Sequence, residues 1–216
     1  IHIFVNSKNI KEMAEKRLFD ILDLYLEKYP NQDTALARKA AGKWIKYSIQ
    51  EYVETTNNIS YALMKLGITK DDKVGIICGN RPEWNMLDMA IMQIGAVTVP
   101  IYPTINKEDY NYIINDCKVK LIVLEGTGVL QKIESVKGSC PSLEMVYALG
   151  TKCDYPSFEE LVEIGKSNPN PEELKTIKDS IDEKNCATII YTSGTTGNPK
   201  GVMLSHYNIM SQLHNL

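Results

Sequence analysis

The residues best equipped for chemistry lie near the C-terminal end, in the string YTSGTTGNPKG from Tyr191 to Gly201. Gly194, Gly197 and Gly201 have no Cβ, so backbone N–H groups there can approach an anion closely and turn freely. Successive N–H groups in such a turn make an anion-binding concavity. Thr192, Ser193, Thr195 and Thr196 add hydroxyl donors, and Lys200 adds a positive charge. The chemistry implied is the holding of a polyphosphate. The common phosphate loop, G-x-x-x-x-G-K-[ST], does not fit: Pro199 stands five residues after Gly194, and Lys200 is followed by Gly201. A G-x-G-x-x-G pattern is absent too. The plainer reading of a Ser/Thr/Gly-rich stretch is a polar connection between two strands. A Lys and a Pro inside so specific a string are not linker-like, and they favour the anion loop.

Such a loop needs elements to position it. The apolar run CATIIY (Cys186–Tyr191) reads as a buried strand leading directly into it, and open α/β sheets place ligands at the carboxyl ends of their strands. Upstream, KVGIIC (Lys73–Cys78), AVTVPIY (Ala96–Tyr102) and KLIVLE (Lys120–Glu125) are short apolar runs. Helical stretches separate them: NRPEWNMLDMAIMQIG, with Pro82 in its first turn and Gly95 at its end, and Asn106–Cys117. Strand, helix, strand, helix, strand is the pattern of a parallel sheet with right-handed crossovers. Continuous rather than alternating apolar strands indicate that helices cover both faces. The expected fold class is therefore α/β, a mostly parallel sheet with helices on both faces.

The remaining chain reads in the same way. A helical period runs from Asn9 to Tyr29. Ala35–Arg38 and Trp44–Tyr47 suggest a hairpin turning near Gly42. Ser48 with Glu51, and Ser157 with Glu160, have capping-box spacing, with Tyr47 and Tyr52 placed as a hydrophobic staple. Gly67 is a natural stop for the first of these two helices. A strand is expected around Leu143–Leu149, then a turn or short linker SNPNPEE (Ser167–Glu173) before another helix. GVMLS is short and apolar, and a helix starts after Ser205.

Composition narrows the function classes. A hydrophobic fraction of 44% and a charged fraction of 24% over 216 residues suit a globular chain with a sizeable core. A net charge of −3 argues against non-specific nucleic-acid binding. The longest apolar stretch, MLDMAIMQIGAVTVPIY, is interrupted by Asp88, Gln93, Gly95 and Pro100, so no transmembrane segment is expected. IHIFVNSKN lacks the parts of a signal peptide, and its first residue is Ile, which leaves the natural start open. The five cysteines (Cys78, Cys117, Cys140, Cys153 and Cys186) are scattered and never spaced as CxxC, which favours reduced thiols. Cys78, Cys117 and Cys186 sit in apolar runs and are expected to be buried.

The longer string YTSGTTGNPKGVMLSH (Tyr191–His206) resembles the phosphate-binding signature of the adenylate-forming enzymes. That superfamily comprises acyl-CoA synthetases, peptide-synthetase adenylation domains and luciferases. The resemblance implies a loop that holds the β- and γ-phosphates of Mg·ATP while a carboxylate attacks the α-phosphorus. It assigns phosphate contact to Thr192, Ser193, Gly194, Thr195, Thr196, Gly197 and Lys200, with Lys200 offsetting the charge of departing pyrophosphate. NRPEWNMLDMAIMQIGAVTVPIYPT (Asn80–Thr104), together with KWIKYS and GITKDDKV, is similar to long-chain fatty acyl-CoA synthetases. On that resemblance the substrates are a fatty acid, ATP with Mg²⁺, and CoA, and the location is cytoplasmic, with peripheral membrane contact compatible with it. Residues 1–216 correspond to the N-terminal portion of the AMP-binding domain, without the C-terminal lid domain. No catalytic residue and no metal ligand is assigned in this stretch, and the 216-residue chain alone is expected to be inactive. Arg81, Glu83 and Trp84 read as a capped helix start with an aromatic anchor, while Tyr102 and Thr104 follow a strand's end and either line a cleft or form a turn. His206 reads as a structural neighbour of the loop. An acceptor on a carrier protein instead of CoA, and a non-catalytic nucleotide-binding module, stay open as alternatives. An ordinary phosphate-loop NTPase is disfavoured by the Lys200–Gly201 pair.

Overall fold

The computed structural model describes residues 17–192 and 197–214. A first helix, α1 (Asp20–Lys28), is the described part of the period expected from Asn9. The hairpin follows as β1 (Leu36–Ala40) and β2 (Lys43–Tyr47), an antiparallel pair that forms its own two-stranded sheet. Helix α2 (Ile49–Lys65) starts on a complete capping box. Ser48 Oγ accepts from Glu51 N at 3.2 Å, while Ser48 N donates back to the Glu51 carboxylate at 2.7 Å. It stops at Gly67, where Gly67 N donates to Met64 O and Ile68 N to Leu63 O, satisfying the last carbonyls.

The main sheet has six strands in the order β6-β5-β3-β4-β7-β8. These are β3 (Lys73–Ile77), β4 (Val97–Pro100), β5 (Val119–Leu124), β6 (Met145–Ala148), β7 (Cys186–Thr192) and β8 (Lys200–Ser205). All neighbours pair parallel except β8, which runs antiparallel to β7. The connecting helices are α3 (Pro82–Gln93), α4 (Lys107–Asp116), α5 (Thr127–Lys137), α6 (Phe158–Ser167) and α7 (Pro171–Ser180). Helix α8 (His206–His214) follows β8.

Alternation along the strands divides the interior. Val74, Ile76, Leu121 and Val123 point to one face and join α2, α3 and α6 in one apolar cluster. Ile77, Val97, Val99, Ile122 and Leu124 point to the other and join α4 and α5. Helices on both faces of a mostly parallel sheet are thus what the chain forms. A third cluster gathers Phe19, Met92, Ile181, Ala187 and Met210, tying α8 back to the body.

Two features depart from the expectations. Helix α5 was not anticipated: its stripe Val129, Leu130, Ile133 and Val136 is buried, but Gly126 and Gly128 at its start mask the helical signal. Of the cysteines, Cys117 is buried as expected, whereas Cys78 and Cys186 are only half-buried and Cys140 is fully enclosed. GVMLS, read only as short and apolar, forms most of β8 and is largely exposed, because that strand lies at the edge of the sheet.

Candidate active site: a strand-borne loop beside an apolar cleft

The stems of the glycine-rich loop are β7 and β8. Thr192 closes β7, Lys200 opens β8, and the two are Cα partners across the hairpin. Both are exposed, as is Gly197, which adopts φ +131°. That conformation is one that L side chains rarely adopt, which accounts for glycine at this position. Ser193, Gly194, Thr195 and Thr196 lie outside the described residues.

The hairpin is fixed from below. Tyr191, one step down β7, donates its hydroxyl to Asp116 Oδ2 at 2.5 Å, at the last residue of α4. Its ring lies across Gly201, its partner on β8: a Cβ there would stand 3.0 Å from Tyr191 Cζ and 2.9 Å from Ile189 Cγ2. Burial and the Asp116 carboxylate both push the Tyr191 pKa up, so the phenol stays a donor. This anchor spans 75 residues, and no local pattern announces it.

Beside the stems, at the carboxyl ends of β4 and β7, a cleft of about 390 Å³ opens. Ile101, Ile105 and Ile113 make it mostly apolar, Thr192 and Pro199 bring the loop stems to its wall, and Tyr102 lines it at 69% exposure. Thr104 is not among its lining residues. The segment after β4 is pinned by two bonds. Tyr110 Oη donates to Tyr102 O at 3.0 Å, and Lys132 Nζ donates to Ile105 O at 2.7 Å. Asn106 caps α4 by accepting from Asp109 N at 2.7 Å.

A second polar cluster occupies the carboxyl ends of β3 and β5. The Arg81 guanidinium grips Glu83 through Nε and Nη2, both at 2.9 Å, and donates from Nη1 to Glu125 Oε1 at 2.6 Å. Glu125 Oε2 in turn accepts from Gly79 N at 3.2 Å. Arg81 does occupy the N-cap position of α3, but its side chain makes no capping bond; it braces two strand ends instead. Burial pushes the Glu83 carboxyl up, yet the Arg81 bonds and the nearby Arg38 outweigh it and hold the group below the usual carboxylate range. Trp84 is half-buried against the first cluster, the anchor expected of it. Burial and Glu125 push the Cys78 thiol up to about 12, which leaves it protonated and unreactive.

His206, five residues beyond Gly201, is 1% exposed. Its Nδ1 accepts from Leu18 N at 3.3 Å, and Phe19 meets its ring edge-on at 5.3 Å between centroids. Burial lowers its pKa to about 4. A neutral, enclosed imidazole bonded to backbone is structural, in line with the reading from sequence. Among the described residues, no group of three or more His, Cys, Asp or Glu side chains is placed to hold a metal ion.

A family model described as AMP-binding enzyme matches residues 22–216. The chain belongs to the AMP-binding enzyme family. It is similar to a Xenopus laevis protein named long-chain-fatty-acid–CoA ligase ACSBG2, 37% identical over 180 residues that cover 81% of this chain and 24% of that one. It is also similar to long-chain-fatty-acid–CoA ligase ACSBG1 of Rattus norvegicus, 34% identical over 85% of this chain and 26% of that one. The chain spans about a quarter of the length of these curated relatives. The crystal structure of a long-chain-fatty-acid-CoA ligase (FadD1) from Archaeoglobus fulgidus superposes with a TM-score of 0.71 at 23% identity. That match covers 90% of this chain and 37% of the other, and it establishes the shared fold. In this member of the AMP-binding enzyme family the loop stems and the apolar cleft share the carboxyl side of the sheet.

Proposed function

We propose that the full-length protein activates long-chain fatty acids with ATP, forming acyl-AMP and pyrophosphate, and then passes the acyl group to CoA with release of AMP. The observation that carries this reading is the 37% identity to a named long-chain-fatty-acid–CoA ligase over 81% of the chain. That span is joined to a glycine- and hydroxyl-rich loop whose stems sit at the carboxyl edge of the sheet. On this reading Thr192, Ser193, Gly194, Thr195, Thr196, Gly197 and Lys200 surround the β- and γ-phosphates. Backbone N–H groups and hydroxyls orient them, and the Lys200 ammonium offsets the negative charge that grows on pyrophosphate as it leaves. Magnesium arrives with the nucleotide as part of the substrate and screens the same phosphates. Splitting the reaction this way replaces an unreactive carboxylate with a mixed anhydride that a thiol can attack.

Residues 1–216 would then be the N-terminal portion of the AMP-binding domain, with the lid domain belonging to further sequence. A cytoplasmic location with contact at the membrane surface is part of the same proposal. No helix among the described residues is long and apolar enough to cross a membrane. The reading predicts fatty-acid-dependent ATP–pyrophosphate exchange by the full-length protein and none by the purified 216-residue chain. Release of ADP in place of AMP, or exchange independent of fatty acid, would overturn it.

A further inference from the structure

The β1–β2 hairpin has a surface that the adenylation reading does not use. From Ala35 to Tyr47 the sequence ALARKAAGKWIKY holds Arg38, Lys39, Lys43 and Lys46 and no acidic residue, in a chain whose net charge is −3. The register pairs Leu36 with Tyr47, Lys39 with Trp44 and Ala37 with Lys46. Side chains alternate across a sheet, so Leu36, Arg38, Ile45 and Tyr47 share one face, and Ala37, Lys39, Trp44 and Lys46 share the other. The first face meets the body: Leu36 and Tyr47 belong to the main apolar cluster, and Arg38 Nε stands 3.5 Å from Glu83 Oε1. The second therefore points away. Trp44 is 64% exposed on it, flanked by the exposed Lys39 and Lys46.

A large aromatic ring left in water among cations on a two-stranded tongue matches one kind of partner. Indole rings settle at the headgroup level of bilayers, with the apolar body inward and the N–H toward water. Lysine ammonium groups are drawn to the negative surface of anionic lipids. The charge complementarity favours a negatively charged surface. We infer that the outer face of the β1–β2 hairpin docks the protein on membranes containing anionic phospholipid, with Trp44 inserted at the interface and Lys39 and Lys46 over the headgroups. This stands on the hairpin and not on the proposed reaction.

The test is co-sedimentation of the full-length protein with phosphatidylcholine vesicles, with and without phosphatidylglycerol. The wild-type protein is expected to prefer the anionic vesicles, and to lose that preference as salt rises. Each basic group near an anionic surface contributes roughly a factor of five, so Lys39→Gln and Lys46→Gln combined are expected to weaken binding about twenty-fivefold. Trp44→Ala is expected to weaken it about tenfold, with little change in thermal midpoint, since these side chains are exposed. Three results would overturn the inference: equal binding by the variants, no preference of the wild type for anionic vesicles, or loss of fold stability in the variants. The last would show the face packed against protein.

Discussion

Lys200 occupies a position that is set by its strand as much as by its loop. As the first residue of β8, with Thr192 as its partner, it is held at the hairpin's neck with its side chain exposed. If it offsets developing charge on pyrophosphate, its loss should act on the chemical step more than on fatty-acid binding. Lys200→Ala is expected to lower kcat for adenylation by roughly 10²–10³-fold, the usual cost of removing one electrostatic stabiliser, while the KM for fatty acid stays nearly unchanged. Steady-state ATP–pyrophosphate exchange on the full-length protein checks this. The chemical nature of the loop is legible from Tyr191 to Gly201 because glycines, hydroxyls and a lysine are adjacent in the chain. The groups that brace the site are not. Asp116 meets Tyr191 across 75 residues, and Arg81 meets Glu125 across 44; no spacing rule connects them.

At the level of elements, legibility follows how local the cause is. Ser48 with Glu51 and Ser157 with Glu160 form complete capping boxes because the bonded groups are three residues apart. Helix α5 escapes the same reading because its first turn holds glycines rather than a capping side chain. Edge and centre of a sheet are likewise invisible locally: β7 and β8 are both apolar runs, yet only the strand order makes β8 the exposed one. Helix packing gives the sharpest prediction at this scale. Gly165 of α6 lies so close to α2 that a Cβ there would come within 1.7 Å of the Asn58 carbonyl oxygen. Neither backbone can yield without separating the two helices. Gly165→Ala is expected to destabilise the fold by more than about 3 kcal/mol, or to prevent soluble expression, as overpacking against a rigid neighbour does. Thermal or denaturant unfolding measures it.

For the whole molecule, His206 ties α8 to the segment before α1, and that tie depends on pH. Its folded pKa is about 4, against 6.5 for the free side chain. Between those values the unfolded chain binds the proton and the folded one does not, so stability is fully present above 6.5 and falls as pH drops toward 4. The loss is on the order of 3 kcal/mol. Asp88 works in the opposite sense: burial raises its pKa from 3.8 to about 6, so its contribution falls as pH rises through that window. Replacing His206 by Gln, which keeps an acceptor for Leu18 N, is expected to remove this loss, so the variant gains stability relative to the parent as pH falls from 6.5 toward 4. Midpoints of thermal unfolding from pH 4 to 7 for both proteins would show it; parallel profiles would count against the account.

The central claim is that this sheet, loop and cleft serve the adenylation of long-chain fatty acids. The most direct test is an acyl-chain-length series on the full-length protein, measuring AMP released with ATP and CoA present. The account predicts a maximum at long chains, with AMP release dependent on CoA. A maximum at acetate or at an amino acid, or AMP release that needs a carrier protein in place of CoA, would contradict it.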